Sequence, residues 1–192
     1  MKQDYDVLIV GGGLAGNCLA LALQGSDLNI AIVEASTREQ LHTSPAGDRA
    51  LALASGTIHM LEALGIWPAA KALATPIKTI HVSDQGHFGK TRLSAKKEGV
   101  AALGYVITAR DLEDVVSQLV AQADIEQICP ARVIGIASDD HLAHISLKQQ
   151  DSSLNISARL VIGADGGQST VRKLLEIDQA VTEYQQTAIV TT

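Results

Sequence analysis

The first strong pattern along the chain is a run of four apolar residues, 7–10, that leads directly into three glycines. A short, uninterrupted apolar run is typical of a parallel strand that is covered on both faces. Residues 14–24 are rich in alanine and leucine and predict a helix that ends at Gly25. Residues 28–33 predict a second strand, which closes on Glu34. This order of strand, glycine turn, helix and strand predicts a βαβ unit with a right-handed crossover.

The rest of the chain predicts three further helices, a hairpin and a series of short strands. Alternating apolar residues predict the strands, and a period of 3.6 residues predicts the helices. In chain order the predicted elements are a polar loop at 37–49, a helix at 55–64 capped by Ser55, strands at 77–83 and 91–93 joined by a turn at 85–86, a helix at 111–123, strands at 125–128, 132–137, 144–148, 154–157 and 160–162, and a helix from 169 to 175. Residues 187–192 resemble the beginning of another strand, so we expect the sequence to be a fragment of a longer protein.

The composition is typical of a globular protein with an apolar core, because 46% of the 192 residues are apolar and 19% are charged. Aromatic residues make up only 3%, so we expect the pocket of an aromatic ligand to lie elsewhere or to be incomplete within this sequence. The formal net charge is −6, and the densest basic spot, Lys96-Lys97, is followed by Glu98. These charges argue against a nucleic-acid partner and against unassisted binding to anionic lipid.

The chain begins with polar residues, and its longest apolar runs have the length of strands. This pattern predicts neither a secretory signal peptide nor a transmembrane span. The two cysteines, Cys18 and Cys129, have no CxxC spacing, and we expect both to be buried as small apolar side chains. Together these features favour a cytoplasmic location.

The polar residues show no pattern typical of a metal site or of an activated nucleophile. The six histidines are scattered, with His141 and His144 as the only close pair, whereas zinc needs about four clustered ligands. Ser169 lacks the G-x-S-x-G setting of a catalytic serine and is interpreted as a helix cap near Asp165. We therefore predict no metal site and assign no catalytic residue.

The clearest chemical signal is the glycine turn, in which residues 11–16 fit the G-x-G-x-x-G pattern of dinucleotide-binding proteins. Gly11 permits the tight turn, Gly13 lets the backbone approach a pyrophosphate, and Gly16 lets helix and strand pack closely. The ribose-binding acid of such proteins lies about 20 residues after the glycine turn, and Glu34 lies close to this position. A carboxylate there accepts hydrogen bonds from ribose hydroxyls and repels a 2′-phosphate. The motif therefore predicts a site for FAD or NAD and not for NADP.

Two further motifs follow the glycine turn: residues 48–53 (DRALAL), and residues 161–166 (VIGADG) with Ser169 and Arg172 after them. The three motifs together make the sequence resemble the flavin-dependent aromatic hydroxylases of the para-hydroxybenzoate hydroxylase type. Residues 80–87 and 101–104 resemble in particular the branch of 2-polyprenyl-6-methoxyphenol hydroxylases, which act in ubiquinone biosynthesis. The resemblance extends over essentially the whole sequence.

This resemblance implies an α/β fold: a Rossmann-like FAD/NAD(P)-binding domain of the glutathione-reductase type with a β-meander, and the first strands of a substrate-domain sheet. The implied FAD-binding domain comprises residues 1–76 and 106–180, and the incomplete substrate sheet comprises 77–105 and 181–192. The pyrophosphate would lie on the glycine turn, the ribose on Glu34, and the adenine on the backbone of Val133. The residues implied to contact FAD are Gly11, Gly13, Leu14, Ala15, Gly16, Glu34, Ala35, Arg49, Arg110, Val133 and Asp165.

The resemblance also implies an activity. NAD(P)H would reduce FAD, and an oxygen atom of O2 would pass to a phenol ring that carries a polyprenyl tail. The intact enzyme would lie in the cytoplasm or peripherally at the inner membrane, with members of a ubiquinone-biosynthesis complex as partners. Two alternatives stay open: a flavin-dependent dehydrogenase or reductase on the same scaffold, and a non-catalytic subunit of a quinone-synthesis complex. The family's second flavin-contacting motif is absent from this sequence, so we expect these 192 residues alone to be inactive.

Overall fold

The computed structural model describes residues 3–187 and shows alternating helices and strands. In chain order the elements are β1 (Tyr5–Val10), α1 (Leu14–Leu23), β2 (Ile30–Val33), α2 (Arg38–His42), β3 (Ala50–Ala54), α3 (Ser55–Ala63), α4 (Trp67–Ala70), β4 (Thr75–Ile77), β5 (Thr79–Ser83), β6 (Lys90–Ser94), α5 (Ala95–Glu98), β7 (Gly104–Thr108), α6 (Ala109–Gln122), β8 (Glu126–Ile128), β9 (Arg132–Ser138), β10 (Ala143–Gln149), β11 (Ser152–Gly163) and α7 (Thr170–Leu174). Single-turn 3-10 helices occupy Pro45–Asp48 and Lys71–Leu73.

The described residues form two compact units. The first unit comprises residues 3–44 and 116–187, and the second comprises residues 45–115, so that the division falls within α6. The boundaries expected from the resemblance, at residues 77 and 106, separate cofactor-binding from substrate-binding parts and stay a prediction. The predicted strand at 187–192 falls almost entirely outside the described residues, and residues 183–187 contain no strand.

The first unit contains a six-stranded sheet with the strand order β8-β2-β1-β11-β10-β9. Strand β1 pairs in parallel with β2 on one side and with β11 on the other, and β2 pairs in parallel with β8. Strands β9, β10 and β11 pair in an antiparallel manner and form the predicted meander. The sheet therefore combines the parallel strands β8, β2 and β1 with the meander of β11, β10 and β9, which confirms the predicted fold class.

The strands predicted at 154–157 and 160–162 are a single strand, β11, of 12 residues. Its first half pairs with β10, and its second half, from Ala158 onward, pairs with β1. The polar Arg159 lies between the two predicted segments. In the structure its guanidinium lies at the surface and contacts the Asp6 carboxylate at 3.4 Å, so it does not interrupt the strand.

The sheet of the first unit holds its main core. Leu8 of β1 and Leu147 of β10 are fully buried, and Val171 of α7 packs into the same cluster. The other buried members of this cluster are Tyr5, Val10, Ala31, Val33, Ile128, Ala131, Val133, Ile145, Ile156 and Ala158. The continuous apolar runs of β1 and β2 are explained by this burial, because both faces of the parallel strands are covered.

The second unit contains a three-stranded sheet, β3-β7-β4, and a separate two-stranded sheet of β5 and β6. Strands β3 and β7 were not predicted. Strand β3 is ALALA, and alanine is depleted in strands, so its pairing with the distant β7 decides its conformation. The strand predicted at 77–83 is divided, because β4 ends at Ile77 and β5 begins at Thr79 in a different sheet.

Two predictions about helix starts and loops are wrong. Ser55 is the first residue of α3 and not its cap, since Ala54 occupies the N-cap position and supplies no side-chain hydrogen bond. The predicted loop at 37–49 contains α2. Thr37 and Gln40 form a capping box at its start, in which each side chain accepts a hydrogen bond from the other residue's backbone N–H.

Helix α7 begins on a cluster of polar groups around Asp165. The Asp165 carboxylate accepts hydrogen bonds from the Ser169 hydroxyl at 2.6 Å and from the backbone N–H of Thr170 at 2.6 Å and Val171 at 3.1 Å. The Ser169 hydroxyl in turn accepts from the backbone N–H of Arg172 at 3.0 Å, which confirms that Ser169 is a helix cap. Among residues 3–187, no helix is both long and apolar enough to span a bilayer.

We expect Leu147→Ala to lower the free energy of unfolding by about 2–5 kcal/mol, because it leaves a cavity in the core of the first unit. Leu160→Ala is the matched control, since Leu160 lies in the same sheet but is 53% exposed. Leu160→Ala should lower the free energy of unfolding by no more than about 1 kcal/mol. Urea unfolding followed by circular dichroism measures both, and equal losses would contradict the assigned core.

A second prediction concerns the pH dependence of stability. Burial raises the pKa of Asp165, but the hydrogen bonds from Ser169, Val171 and Thr170 outweigh it and hold the pKa below its ordinary value. The stabilisation is therefore present above the unfolded pKa of about 3.9 and is lost as the pH falls through the folded pKa. We expect Asp165→Asn to cost about 1–2 kcal/mol at pH 7 and clearly less at pH 3.

The free energy of unfolding of Asp165→Asn and wild type at both pH values tests this expectation. Asp151→Asn, at an exposed turn position, is the control and should change stability at neither pH. An equal cost of Asp165→Asn at pH 7 and pH 3 would show that the charge of Asp165 does not stabilise the start of α7.

Candidate functional site

The turn between β1 and α1 has no room for side chains at two of its glycines. Gly11 has a φ of +113°, and a Cβ there would collide with the backbone of Ala164 at the end of β11. A Cβ on Gly16 would collide with the carbonyl oxygen of Gly11. A Cβ on Gly13, in contrast, would meet no heavy atom within 4 Å. Gly11 and Gly16 are thus required for packing of the chain, whereas Gly13 borders open space.

The start of α1 presents unsatisfied backbone groups to that space. Gly13 is the N-cap residue, with an extended backbone, and it supplies no side-chain hydrogen bond. The first turn contains no acidic residue. The first N–H groups of a helix have no partner within the helix, and the helix dipole makes this end positive. The start of α1 is therefore suited to bind an anion.

Glu34 lies directly beside the glycine turn, at the end of β2. Its Oε2 accepts a hydrogen bond from the backbone N–H of Gly12 at 2.7 Å, and its Oε1 accepts one from the backbone N–H of Ser36 at 2.7 Å. These two bonds fix the position of the carboxylate. An ionised carboxylate has about four acceptor positions, so two remain for the hydroxyl groups of a ligand.

A cleft of about 400 Å³ in the first unit brings many of the predicted residues together, and its volume is in the range of small-molecule sites. The predicted residues that line it are Gly11, Gly13, Glu34, Ala35, Val133 and Asp165. Leu14, Ala15 and Gly16 follow directly in the chain, at the start of α1. The cleft thus lies where β1, β2 and β11 end, between the two halves of the sheet, as is usual for ligand sites in open α/β sheets.

Sequence reasoning missed several residues of this cleft. Among the described residues that line it, Arg132 is the only cation, and Ser36 and Thr170 add polar groups. Arg132 directly precedes Val133, and this adjacency was the one available signal. Asn17, which lines a neighbouring cavity and not this cleft, was also missed, although a single polar residue inside the apolar helix α1 was visible in the sequence.

Arg49 and Arg110, which the resemblance implied as FAD contacts, both belong to the second unit. The Arg110 guanidinium forms an ion pair with the Asp48 carboxylate at 2.6 Å and packs against Gly47, where a Cβ would lie 3.2 Å from it. The carbonyl of Arg49 accepts a hydrogen bond from the backbone N–H of Ala109 at 2.8 Å. The two arginines thus belong to one local cluster, and their contact with FAD stays a prediction.

The cysteines differ from the prediction that both are buried. Cys18 is half-buried, but Cys129 is exposed, because it follows β8 at the edge of the sheet. Its thiol donates a hydrogen bond to the carbonyl of Ser36 at 3.2 Å. Partial burial and the nearby charge of Glu34 both raise the pKa of Cys129, so its thiol stays protonated at neutral pH. Within residues 3–187, His, Cys, Asp and Glu form no group suited to hold a metal ion.

Comparison with known proteins identifies the family of this chain. The chain matches the family described as FAD binding domain over residues 4–191. Ubiquinone hydroxylase UbiL of Rhodospirillum rubrum is 32% identical over 193 residues, which cover 97% of this chain and 43% of that protein. The 3-demethoxyubiquinol 3-hydroxylase of Escherichia coli is 27% identical over 191 residues, which cover 98% of this chain and 48% of that protein. The chain therefore spans less than half the length of these curated relatives.

The fold also matches solved structures. The crystal structure of p-nitrophenol 4-monooxygenase PnpA from Pseudomonas putida aligns with a TM-score of 0.76 at 18% identity, over 91% of this chain and 44% of that chain. This likeness concerns the fold, and it agrees with the α/β architecture described above. Because the family match covers almost the whole chain, the chain belongs to the FAD-binding domain family, and FAD is its cofactor.

Proposed function

We propose that the cleft of the first unit binds the adenosine and pyrophosphate groups of FAD. The observation that carries this proposal is the open space around Gly13, at the uncapped start of α1. A phosphate can approach a glycine backbone more closely than a residue with a Cβ, and the first N–H groups of the helix can donate to it. The residues of the cleft therefore fit a pyrophosphate in both shape and charge.

Glu34 and Arg132 support the choice of this ligand. The free acceptor positions of the Glu34 carboxylate suit the hydroxyl groups of a ribose, and its negative charge disfavours a 2′-phosphate. Arg132 provides a positive charge in the lining of the same cleft. In this arrangement Ala35 borders the ribose, the backbone of Val133 borders the adenine, and Asp165 holds α7 beside the cofactor. NADPH would be disfavoured in this cleft, so it would act only as an external reductant.

For the whole protein we propose hydroxylation of a phenol that carries a polyprenyl tail, in ubiquinone biosynthesis. Two relatives named for hydroxylation in ubiquinone chemistry support this activity. FAD, when bound, would accept electrons from NAD(P)H and use them to activate O2. The described residues of this chain contribute the anchor for the adenosine end, which limits how far the reactive ring system can move. No acid–base residue is assigned within this chain.

We propose that residues 77–105 belong to the substrate-binding sheet. Of the other expected segment, 181–192, residues 181–187 contain no strand and the rest lies outside the described residues. The hairpin of β5 and β6 supports this division, because its five-residue strands form a sheet of their own. Ile80, Val82 and Leu93 lie on one face of this hairpin and are 36%, 60% and 43% exposed. An isolated two-stranded sheet is only marginally stable in water, so such a face is expected to be covered by further strands.

The chemistry of the proposed substrate also suggests where the protein acts. A polyprenyl tail partitions into lipid, because each CH2 group buried there contributes about 0.8 kcal/mol. We therefore propose that the intact protein works peripherally at the inner membrane, near other proteins that act on the same lipid-borne substrate. Co-sedimentation with vesicles that contain a polyprenyl phenol measures this association.

We expect Gly13→Ala to weaken FAD binding to the 192-residue chain at least tenfold, because the added methyl group occupies the space that the pyrophosphate needs. Stability should change by less than about 1 kcal/mol, since the methyl group meets no protein atom. Gly56→Ala is the control, because a Cβ on Gly56 in α3 also meets nothing within 4 Å. Quenching of flavin fluorescence measures the affinities, and unchanged binding by Gly13→Ala would contradict the proposed site.

The proposed hydroxylation is tested with the protein that carries this chain, supplied with FAD, NADH or NADPH, and a phenol with a short isoprenoid tail. We expect one oxygen atom from ¹⁸O2 to appear in the phenol product, as measured by mass spectrometry. Oxidation of NAD(P)H without labelled product would favour the dehydrogenase or reductase alternative. A protein that binds neither FAD nor NAD(P)H would favour the non-catalytic subunit.

A further inference from the structure

The side chain of Asn17 is a buried polar group that the proposed FAD contacts do not use. Asn17 lies in the second turn of α1 and is only 6% exposed. Its Nδ2 donates a hydrogen bond to the carbonyl oxygen of Gly12 at 2.7 Å. Burying an amide without a partner would cost free energy, so this bond is what makes an asparagine tolerable in an apolar helix.

Gly12 is held from two sides. Its carbonyl accepts from Asn17, and its N–H donates to the Glu34 carboxylate at 2.7 Å. The two bonds connect Gly12 to different elements, because Asn17 belongs to α1 and Glu34 follows β2. The peptide groups on each side of Gly12 are therefore fixed in orientation, although glycine itself has a flexible backbone.

The orientation of the peptide group between Gly12 and Gly13 determines which of its atoms face the cleft. In a planar trans peptide the carbonyl group and the following N–H point in opposite directions. Because Asn17 holds the carbonyl of Gly12, the N–H of Gly13 points away from the Asn17 side chain. Gly13 lines the cleft, whereas Asn17 lies behind the turn and lines a separate cavity of about 80 Å³. The Asn17 amide thus acts on the cleft through the backbone only.

We propose that Asn17 is a positioning residue for the dinucleotide: together with Glu34 it clamps Gly12, so that the N–H of Gly13 is aimed at the pyrophosphate before the ligand arrives. This inference rests on the proposed binding of FAD in the cleft. Without the Asn17 amide, the peptide between Gly12 and Gly13 can rotate, and binding must then order it. Ordering of the backbone opposes binding, so the affinity for phosphate-bearing ligands falls.

The test compares Asn17→Ala with Leu21→Ala in the 192-residue chain. Leu21 is buried in the same helix at 8% exposure and serves as a control for loss of helix packing. Titration calorimetry with ADP, which carries the pyrophosphate but no flavin, measures the affinity. We expect Asn17→Ala to bind ADP about tenfold more weakly than wild type, as for one lost hydrogen bond, and Leu21→Ala to bind within about twofold of it.

A second variant and a second measurement separate positioning from stability. Asn17→Asp keeps the shape but puts a carboxylate against the Gly12 carbonyl, and it should weaken ADP binding at least as much as Asn17→Ala. In ¹⁵N–¹H spectra of the ligand-free protein, the Gly13 amide resonance should shift or broaden in both Asn17 variants and stay in place in Leu21→Ala.

The outcomes distinguish this inference from the function on which it rests. If wild type binds neither ADP nor FAD, the proposed function fails and the positioning role fails with it. If wild type binds both, but the Asn17 variants bind ADP as tightly as Leu21→Ala and keep the Gly13 resonance in place, the positioning role is overturned and the proposed function stands.

Discussion

The whole site depends on a single close approach of backbone to backbone in the turn between β1 and α1. Gly11 lies against the backbone of Ala164, and Gly16 lies against the carbonyl oxygen of Gly11. These contacts bring the end of β1, the start of α1 and the end of β11 to one point. A side chain at Gly11 or Gly16 would force these elements apart. The cleft exists because this point has no room for side chains, while Gly13 next to it borders open space.

Polar side chains around this point act mainly on the backbone. Glu34 and Asn17 hold the two sides of Gly12, and Asp165 holds the start of α7 through three hydrogen bonds. Each of these contacts gives a hydrogen-bond partner to a backbone donor or acceptor that would otherwise lack one, either inside the protein or at a helix end. A rigid backbone presents its N–H groups to an anion without reorganisation. Electrostatic binding by preorganised dipoles is the physical basis for our proposal that FAD binds in this cleft.

The parts of the fold that were predictable are those with a local cause. The apolar runs of β1 and β2, the glycines between them and the alanine-rich α1 each determine their own conformation, and the βαβ unit follows from their order. Strand β3 was missed because its alanines have no preference for a strand, and only pairing with the distant β7 makes them one. The capping box of Thr37 and Gln40 was a local signal that could have been found. The contact of Asn17 with Gly12 could not, because only the folded turn brings the amide and the carbonyl together.

In the proposed function, the start of α1 and the glycine turn bind the anionic part of FAD. The most direct test is a titration of the ¹⁵N-labelled 192-residue chain with FAD, followed by ¹⁵N–¹H spectra. We expect saturable shifts that are largest for the amides of Gly11, Gly13, Leu14 and Ala15, with the amide of Gly86 in the β5–β6 turn unchanged. Shifts confined to residues 45–115, or no saturable change in the first unit, would contradict it.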